Sequence, residues 1–403
     1  MNQADITIVG GGLAGMVAAI ALARGGRHIA FVAPPAARSD GRTTALMDQS
    51  IRLLGRLGLW DKIAPATAAL STMQIIDGTH RLLRAPTVAF HAAEIGLDAF
   101  GYNMPNKALL AVLGDAVATE GNIRVIEASA VAIDIRDDGV TVTLDNGEML
   151  QSSFVVGADG RNSMVREAAG ISVRTWSYPQ SAMVLNFAHS LPHQNISTEF
   201  HTESGPFTQV PLPGDRSSLV WVQKPTEAAD RAASTPEVLS VQVEERMQSL
   251  LGKVTVEDGV QVWPLSGMTA SRFGKGRAAL IGEAAHVFPP IGAQGLNLSL
   301  RDIMALTDIL CDRPQQAISA TAGDQFDRKR RTDIISRTAS VDVLNRSLLS
   351  DFLPVQVLRA AGLHVLASLP PLRGIVMREG IEPGRGLGFI PSMLMEKLRR
   401  KAS

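Results

Sequence analysis

Three glycine-rich segments hold the residues whose types and spacing could support chemistry. The first, Gly10-Gly11-Gly12-Leu13-Ala14-Gly15, has the G-x-G-x-x-G form. Gly10 permits a tight turn, Gly12 lets the backbone approach a pyrophosphate, and Gly15 lets a helix and a strand pack closely. A helix opening at Leu13 and Ala14 would point its positive N-terminal end at that negative charge. The spacing predicts a dinucleotide site. One part of the pattern is missing: Ala33 stands where an acid would bind a ribose hydroxyl, and no acid appears before Asp40. A charge-assisted hydrogen bond of about 1.5–3 kcal/mol is therefore absent or supplied from elsewhere.

The second segment is Gly157-Ala158-Asp159-Gly160-Arg161-Asn162-Ser163, with Arg166 close behind. The third runs from Gly282-Glu283-Ala284-Ala285-His286 through Pro289-Pro290 to Gly292-Ala293-Gln294-Gly295-Leu296-Asn297. In loops between a strand and a helix, backbone amides can face a flavin carbonyl or phosphate, and an acid such as Asp159 can reach a ribityl or ribose hydroxyl. Arg161 and Arg166 read either as anion ligands or as solvated surface arginines. His286 reads as a structural histidine bonded within its loop, in preference to a neighbour of a flavin or nicotinamide, because no second acid or metal ligand stands at a matching spacing. No GxSxG, HExxH, CxxC or clustered-carboxylate pattern offers a rival chemistry. The lone Cys311 cannot form an internal disulfide; it reads as a small buried group and fits a reducing cytosol.

These segments need elements to position them. Asp5–Val9, Leu13–Arg24 and His28–Ala33 read as strand, Ala-rich helix and strand, a βαβ unit. A helical pattern runs from Ala45 to Leu59, short extended pieces fill 72–100, and a helix covers Asn106–Thr119. Strands follow at Ile123–Ile135, Val140–Leu144 and Phe154–Val156, with Asp145-Asn146-Gly147 as a hairpin turn. Residues 180–264 alternate apolar and polar in short runs, with helix signal only at 236–251, and predict an antiparallel sheet. Ala278–Ile281 reads as a buried strand and Leu296–Leu310 as a helix, and the remainder as mostly helical. The pattern implies two interleaved domains and a helical tail. Composition agrees: 403 residues with 45% hydrophobic and 19% charged residues exclude disorder, and 39 basic residues balanced by 39 acidic ones argue against a nucleic-acid partner.

In this order the three segments resemble the flavin-dependent aromatic hydroxylases of the 4-hydroxybenzoate hydroxylase type, from residue 4 to about 310. The match is strongest to the ubiquinone-biosynthesis hydroxylases. Arg42-Thr43-Thr44-Ala45-Leu46-x-x-x-Ser50 is similar to their Arg-x-x-Ala-Leu-x-x-x-Ser segment, and Gly295-Leu296-Asn297-Leu298-x-Leu300-Arg301-Asp302 to their third-motif signature. The resemblance implies a Rossmann-like α/β FAD-binding domain (1–72, 100–178 and 265–320), interleaved with an antiparallel-sheet substrate domain (73–99 and 179–264) and followed by C-terminal helices (321–403). It implies FAD as cofactor, NAD(P)H as a transient electron donor, and oxygen transfer through a flavin C4a-hydroperoxide to an electron-rich ring. Gly10, Gly12, Leu13, Ala14, Gly15, Arg42, Asp159 and Gly160 would hold the cofactor from the first half of the chain. Gly282, Glu283 (an Asp in the family), Gly292, Gln294, Gly295, Leu296 and Asn297 would hold it from the second, with Pro290 presenting its carbonyl to substrate. Arg42 would partly offset Ala33.

The implied substrate is a phenol bearing a polyprenyl chain. From Asp324 onward fourteen Lys/Arg face eight Asp/Glu, a net charge of +6, which leaves −6 on residues 1–323. Apolar residues at helical spacing over Leu353–Leu372, then a basic stretch over Arg373–Lys401, fit either peripheral contact with the inner face of a membrane or a helix packed on the core. A cytoplasmic protein, free or in a quinone-pathway complex, is expected. Two other functions fit the residues. A hydroxylase of a small aromatic acid would need an Arg or Tyr clamp, for which the sheet offers Tyr178 beside it and Arg216 in a turn; a non-catalytic flavin scaffold would suit Ala33 and Glu283. Gly384-Arg385-Gly386-Leu387-Gly388 reads as a loop, since no apolar strand precedes it.

Overall fold

The computed structural model describes residues 3–34, 41–79, 86–202, 205–289 and 294–349. The chain opens with strand β1 (Gln3–Val9), helix α1 (Leu13–Arg24) and β2 (Ile29–Val32), followed by β3 (Thr43–Met47), α2 (Asp48–Arg56) and α3 (Trp60–Ile63). Next come β4 (Ala68–Ala69), β5 (Thr72–Asp77), β6 (Val88–His91), β7 (Gly101–Pro105), α4 (Asn106–Thr119), β8 (Ile123–Ile126), β9 (Ala130–Ile135), β10 (Val140–Leu144), β11 (Met149–Gly157) and α5 (Met164–Ala168). The middle of the chain supplies β12 (Val173–His189), β13 (Ile196–Thr202), β14 (Gly205–Leu212), β15 (Arg216–Gln223), α6 (Pro225–Ala232), α7 (Pro236–Arg246), β16 (Val254–Val256) and β17 (Gln261–Ala270). The described chain ends with β18 (Gly274–Lys275), β19 (Ala278–Leu280), β20 (His286–Val287), α8 (Gln294–Leu310) and α9 (Ala322–Leu349).

One sheet runs β18-β19-β11-β1-β2-β8, with β19, β11, β1, β2 and β8 parallel to one another, β18 antiparallel to β19, and β10, which pairs with β9, antiparallel to β11. Its central strands are apolar on both faces, as a sheet covered on two sides requires: Ile6 and Ile8 are fully buried, and Thr7 between them donates to Ser152 Oγ at 2.9 Å. Helix α1 is buried nearly all round, wedged between the sheet and helices α4 and α8. Its alanines permit that close approach, and a Cβ on Gly25 would lie 2.5 Å from Cys311 Sγ. Cys311 is partly buried against this core, and burial pushes its thiol up to about 11.

The second sheet runs β20-β17-β12-β15-β14-β13-β5-β6, antiparallel except for β13 against β5, and β16 also pairs with β12. Helix α7 covers one face, setting Leu239, Val243 and Met247 against Met183, Phe187 and Trp221. The seventeen-residue β12 and the ten-residue β17 run on through positions 179 and 264, and their pairing shifts register between Ser177 and Ser181, where Pro179 lacks a donor N–H. A small sheet, β3-β7-β4, joins the two layers.

Three expectations about local structure are corrected. Ala45–Met47 is strand, because β3 pairs with β7 and buries Leu46, and the helix begins only at Asp48. Helix α7 stops at Arg246, ahead of Gln248 and Ser249 at positive φ. Helix α6 carried a sequence signal that was passed over: Pro225 at its first turn followed by Ala-rich sequence. Among the described residues no helix is long and apolar enough to cross a membrane. Pro290, Gly292, the Gly384–Gly388 stretch and residues 353–401 lie outside the described residues.

Candidate functional site

Strands β1, β11 and β19 are parallel neighbours, so their C-terminal ends bring the three glycine segments to one edge of the sheet. Backbone bonds fix the meeting point: Ala158 N donates to Val9 O at 2.8 Å, and Ile281 N to Gly157 O at 2.9 Å. Gly10 has a φ of +119°, and a Cβ there would lie 2.2 Å from Ala158 O. A Cβ on Gly15 would lie 1.9 Å from Gly10 O. Gly12 is the reverse case, with nothing within 4 Å of a built Cβ. It caps α1, whose first turn has no side-chain cap and no acidic residue. Amides without a side-chain cap at the positive end of a twelve-residue helix fit a phosphate group. Leu13 and Ala14 form that first turn; Gly282, at φ +61°, would place a Cβ 3.4 Å from Ala14 Cβ.

Asp159 divides its carboxylate. Oδ2 accepts from the amides of Met164 and Val165 at 2.8 and 3.2 Å, opening α5, whereas Oδ1 is buried with no hydrogen-bond partner. An unmatched buried carboxylate oxygen beside open Gly160 fits a ligand hydroxyl. Glu283 is half-exposed, and its Oε2 accepts from Arg161 Nε at 3.1 Å, linking the second and third segments. Arg161 also donates to Ser266 Oγ at 2.9 Å. Arg166 is neither an anion ligand nor a surface arginine: it is buried and donates to the carbonyls of Ala284 and Arg161 at 2.9 and 2.7 Å. Its guanidinium ties the second loop to the third.

Asn297, expected to border the flavin, has its Oδ1 accepting from Met47 N at 2.9 Å and Ser50 Oγ at 2.6 Å, and its Nδ2 donating to Ala45 O at 2.7 Å. Both lone pairs of the amide oxygen are thus used inside the protein. Asn297 physically joins the Arg42–Ser50 segment to the Gly295–Asn297 segment. Gln294 Oε1 likewise accepts from Arg337 Nη1 at 2.6 Å. Gly295 and Leu296 follow in the first turn of α8, and a Cβ on Gly295 would meet nothing within 4 Å. Exposed Arg42 lies with its guanidinium 5.5 Å from the Trp263 ring centroid.

His286 is buried, as its structural reading requires, but its partner lies outside its loop: Nε2 and Asp302 Oδ2 of α8 are 2.7 Å apart. Asp302 is buried too, and its Oδ1 accepts from Arg330 Nε of α9 at 2.7 Å. Spacing in the sequence hid this pair because α8 folds back over β20. Arg330 Nη1 reaches Asp333 at 2.6 Å, and Arg301 and Arg337 also pair with Asp333. Burial pushes the Asp333 carboxyl up, but Arg330 and Arg301 together outweigh it and hold the group below the usual carboxylate range. Burial and the neighbouring Arg337 bring Arg301 down to about 10.

A polar seam that no motif marks lies where Gly41–Thr43 meets the second sheet. Asn186 Nδ2 donates to Gly41 O at 3.4 Å, and Thr43 Oγ1 donates to Ser218 Oγ at 3.0 Å. Asn186 Oδ1 and Gln261 Oε1 are buried acceptors with no partner. The expected clamp residues are already engaged. Arg216 begins β15 and is bound bidentately to Glu257 at 2.6 Å, and Tyr178 is buried with its hydroxyl 2.6 Å from Trp176 Nε1.

Comparison with known proteins agrees with this geometry. A family model described as an FAD binding domain matches residues 3–335. The chain is 32% identical to the ubiquinone hydroxylase UbiL of Rhodospirillum rubrum, over 96% of this chain and 93% of that one. It is 28% identical to the 3-demethoxyubiquinol 3-hydroxylase of Escherichia coli, over 95% and 98% of the two chains. Its fold is similar to that of the p-nitrophenol 4-monooxygenase PnpA from Pseudomonas putida, with a TM-score of 0.78 at 19% identity, covering 96% of this chain and all of that one.

Proposed function

The chain belongs to the FAD-binding-domain family, and from that premise we propose that it hydroxylates the aromatic ring of a polyprenylated phenol in ubiquinone synthesis. FAD is the cofactor, O2 the co-substrate and NAD(P)H the transient donor. The observation that carries the cofactor reading is the convergence of three strand ends on the uncapped first turn of α1. The substrate reading is supported by the relatives named as ubiquinone hydroxylases and covered over nearly their whole length.

When bound and reduced, the flavin supplies the oxygen-activating chemistry. The protein's own residues bind and orient. The amides following Gly12 receive the pyrophosphate, Asp159 Oδ1 accepts from a cofactor hydroxyl, and Glu283 takes a second polar contact by releasing Arg161. Asn297 holds Ala45–Ser50 against α8, fixing the wall from which Arg42 and Thr43 approach the second sheet. Asn186 Oδ1 and Gln261 Oε1 are unmatched buried acceptors, and in this reading one of them takes the single proton of a phenolic hydroxyl. Pro290 and Gly292 complete the cofactor loop in this reading. The residues 353–401 are assigned to a membrane surface or a quinone-pathway complex on their apolar and basic pattern. A small aromatic acid is disfavoured because Arg216 is already matched by Glu257. Purified protein reconstituted with FAD should convert a polyprenyl phenol to the ring-hydroxylated product; hydrogen peroxide release alone, across all precursors tried, would refute the substrate assignment.

A further inference from the structure

Two polar residues bracket residues 290–293: His286 on β20 and Gln294 at the start of α8. They are far apart in the hydrogen-bond sense, yet a single chain of charges connects them. His286 Nε2 faces Asp302, Asp302 takes Arg330 Nε, and Arg330 reaches Asp333. Asp333 takes Arg337 Nε at 3.2 Å, and Arg337 Nη1 donates to Gln294 Oε1 at 2.6 Å. Three links, Arg330, Asp333 and Arg337, stand on successive turns of one helix face of α9, at the spacing that makes side chains neighbours. Every link from His286 to Arg330 is at least nine-tenths buried, and the Asp333 and Arg337 side chains are only 16% and 14% exposed.

The chain fixes chemistry as well as position. A carboxylate paired with Arg330 only accepts, so His286 Nε2 donates to Asp302 Oδ2. Nδ1 is buried with no partner, as is Oγ1 of Thr269, the residue directly opposite His286 across the β17–β20 pair. The cross-strand pairing puts both side chains on the same face of the sheet.

We propose that α9 is the clasp of the cofactor site: Arg337, acting through Gln294, and Arg330, acting through Asp302 and His286, are positioning residues that set where the start of α8 stands for FAD. This rests on the reading that Gln294–Asn297 border the cofactor. It gives the helix after residue 321 a role in cofactor retention distinct from the three glycine segments.

The test is FAD affinity of the full-length apoprotein, read by quenching of flavin fluorescence on titration, together with the visible flavin spectrum of the complex. Arg337→Gln removes the guanidinium but keeps a donor-bearing side chain; it should weaken FAD binding about tenfold and shift the bound-flavin spectrum, as loss of a charged hydrogen bond through one intermediary predicts. Arg337→Lys should recover most of the affinity. Lys329→Gln, also on α9, removes an exposed pair with Asp308 near the far end of α8 and should change neither readout. Should Arg337→Gln not fold, Ser336→Ala beside it cannot substitute, but Gln294→Glu can: a carboxylate strengthens the same link, and the clasp predicts equal or tighter binding. FAD affinity of Arg337→Gln within twofold of the unaltered protein, or looser binding by Gln294→Glu, would overturn the proposal. An unaltered protein that binds no FAD would overturn both the clasp and the family-based function, which separates that failure from failure of the clasp alone.

Discussion

Glu283 and His286 stand three residues apart in one segment and are bonded in opposite ways. Glu283 and its partner Arg161 are each half in solvent, joining two loops at the rim of the sheet. His286 and its partner Asp302 are fully enclosed and continue into Arg330. The rim pair is exchangeable: an exposed ion pair is worth about 0–1 kcal/mol and can open for a ligand. The buried chain cannot lose a member without stranding a charge. The contrast teaches that this fold separates an acid free to trade partners, which the proposed function assigns to the cofactor, from an acid that holds a buried framework.

The largest expected effect breaks the buried side. Arg330→Met leaves the Asp302 carboxylate enclosed with its cation gone and should cost about 3–5 kcal/mol of stability, measured by denaturant unfolding. Loss of less than 1 kcal/mol would mean the chain is no framework. On the rim, placement depends on backbone more than on side chains. Gly15→Ala drives a methyl into Gly10 O and should lower stability by about 1–3 kcal/mol while stripping bound flavin on gel filtration. Arg301→Met sharpens the contrast from within: burial and like charge already hold this arginine at about 10, so its charge is carried at a penalty at every pH below that value, and its removal should cost under about 1 kcal/mol. The smallest effect belongs to Glu283→Gln, which should change stability by about 0–1 kcal/mol yet weaken FAD binding several-fold in a fluorescence titration.

Acid should distinguish the two regions as well. Asp333 titrates below the usual carboxylate range in the folded protein, so the unfolded chain takes up its proton first as pH falls. Its contribution is present above the ordinary carboxylate pKa and is lost as pH drops through the lowered folded value. Thermal midpoints measured from pH 7 to pH 3 should fall, and Asp333→Asn should flatten the acid limb; an unchanged limb would remove Asp333 from the account.

The parallel sheet and its glycine turns were legible in the sequence because their signals are local: Leu13–Arg24, Asn106–Thr119 and Val140–Leu144 have the bounds their periodicity predicts. Glycine identity at 15 follows from close approach to Gly10 O five residues earlier, which a motif captures; at 10 it follows from a positive φ and from Ala158 O at the end of the neighbouring strand. What escaped was carried by side chains meeting across long stretches of chain. Asn297 reads as a flavin ligand from its motif; only the folded chain shows that its amide also bonds Ala45, Met47 and Ser50. His286 lacked a visible partner because Asp302 lies on the next helix and Arg330 on the one after. Arg166 reads from sequence as an anion ligand or a surface arginine because arginines mostly are one or the other, and its burial against Ala284 is a tertiary fact. The Asn186–Gln261 seam had no motif at all, since single polar residues at inward strand positions are invisible until the opposing loop is known.

The central claim is that this chain transfers an oxygen atom to the ring of a polyprenyl phenol. The direct measurement is a reaction of the FAD-loaded protein with NAD(P)H, a polyprenyl phenol and 18O2, with the lipid product analysed by mass spectrometry. The account predicts a ring-hydroxylated product carrying one 18O atom, formed in proportion to the NAD(P)H consumed. Consumption of NAD(P)H with all the oxygen recovered as hydrogen peroxide, and the phenol unchanged, would contradict it.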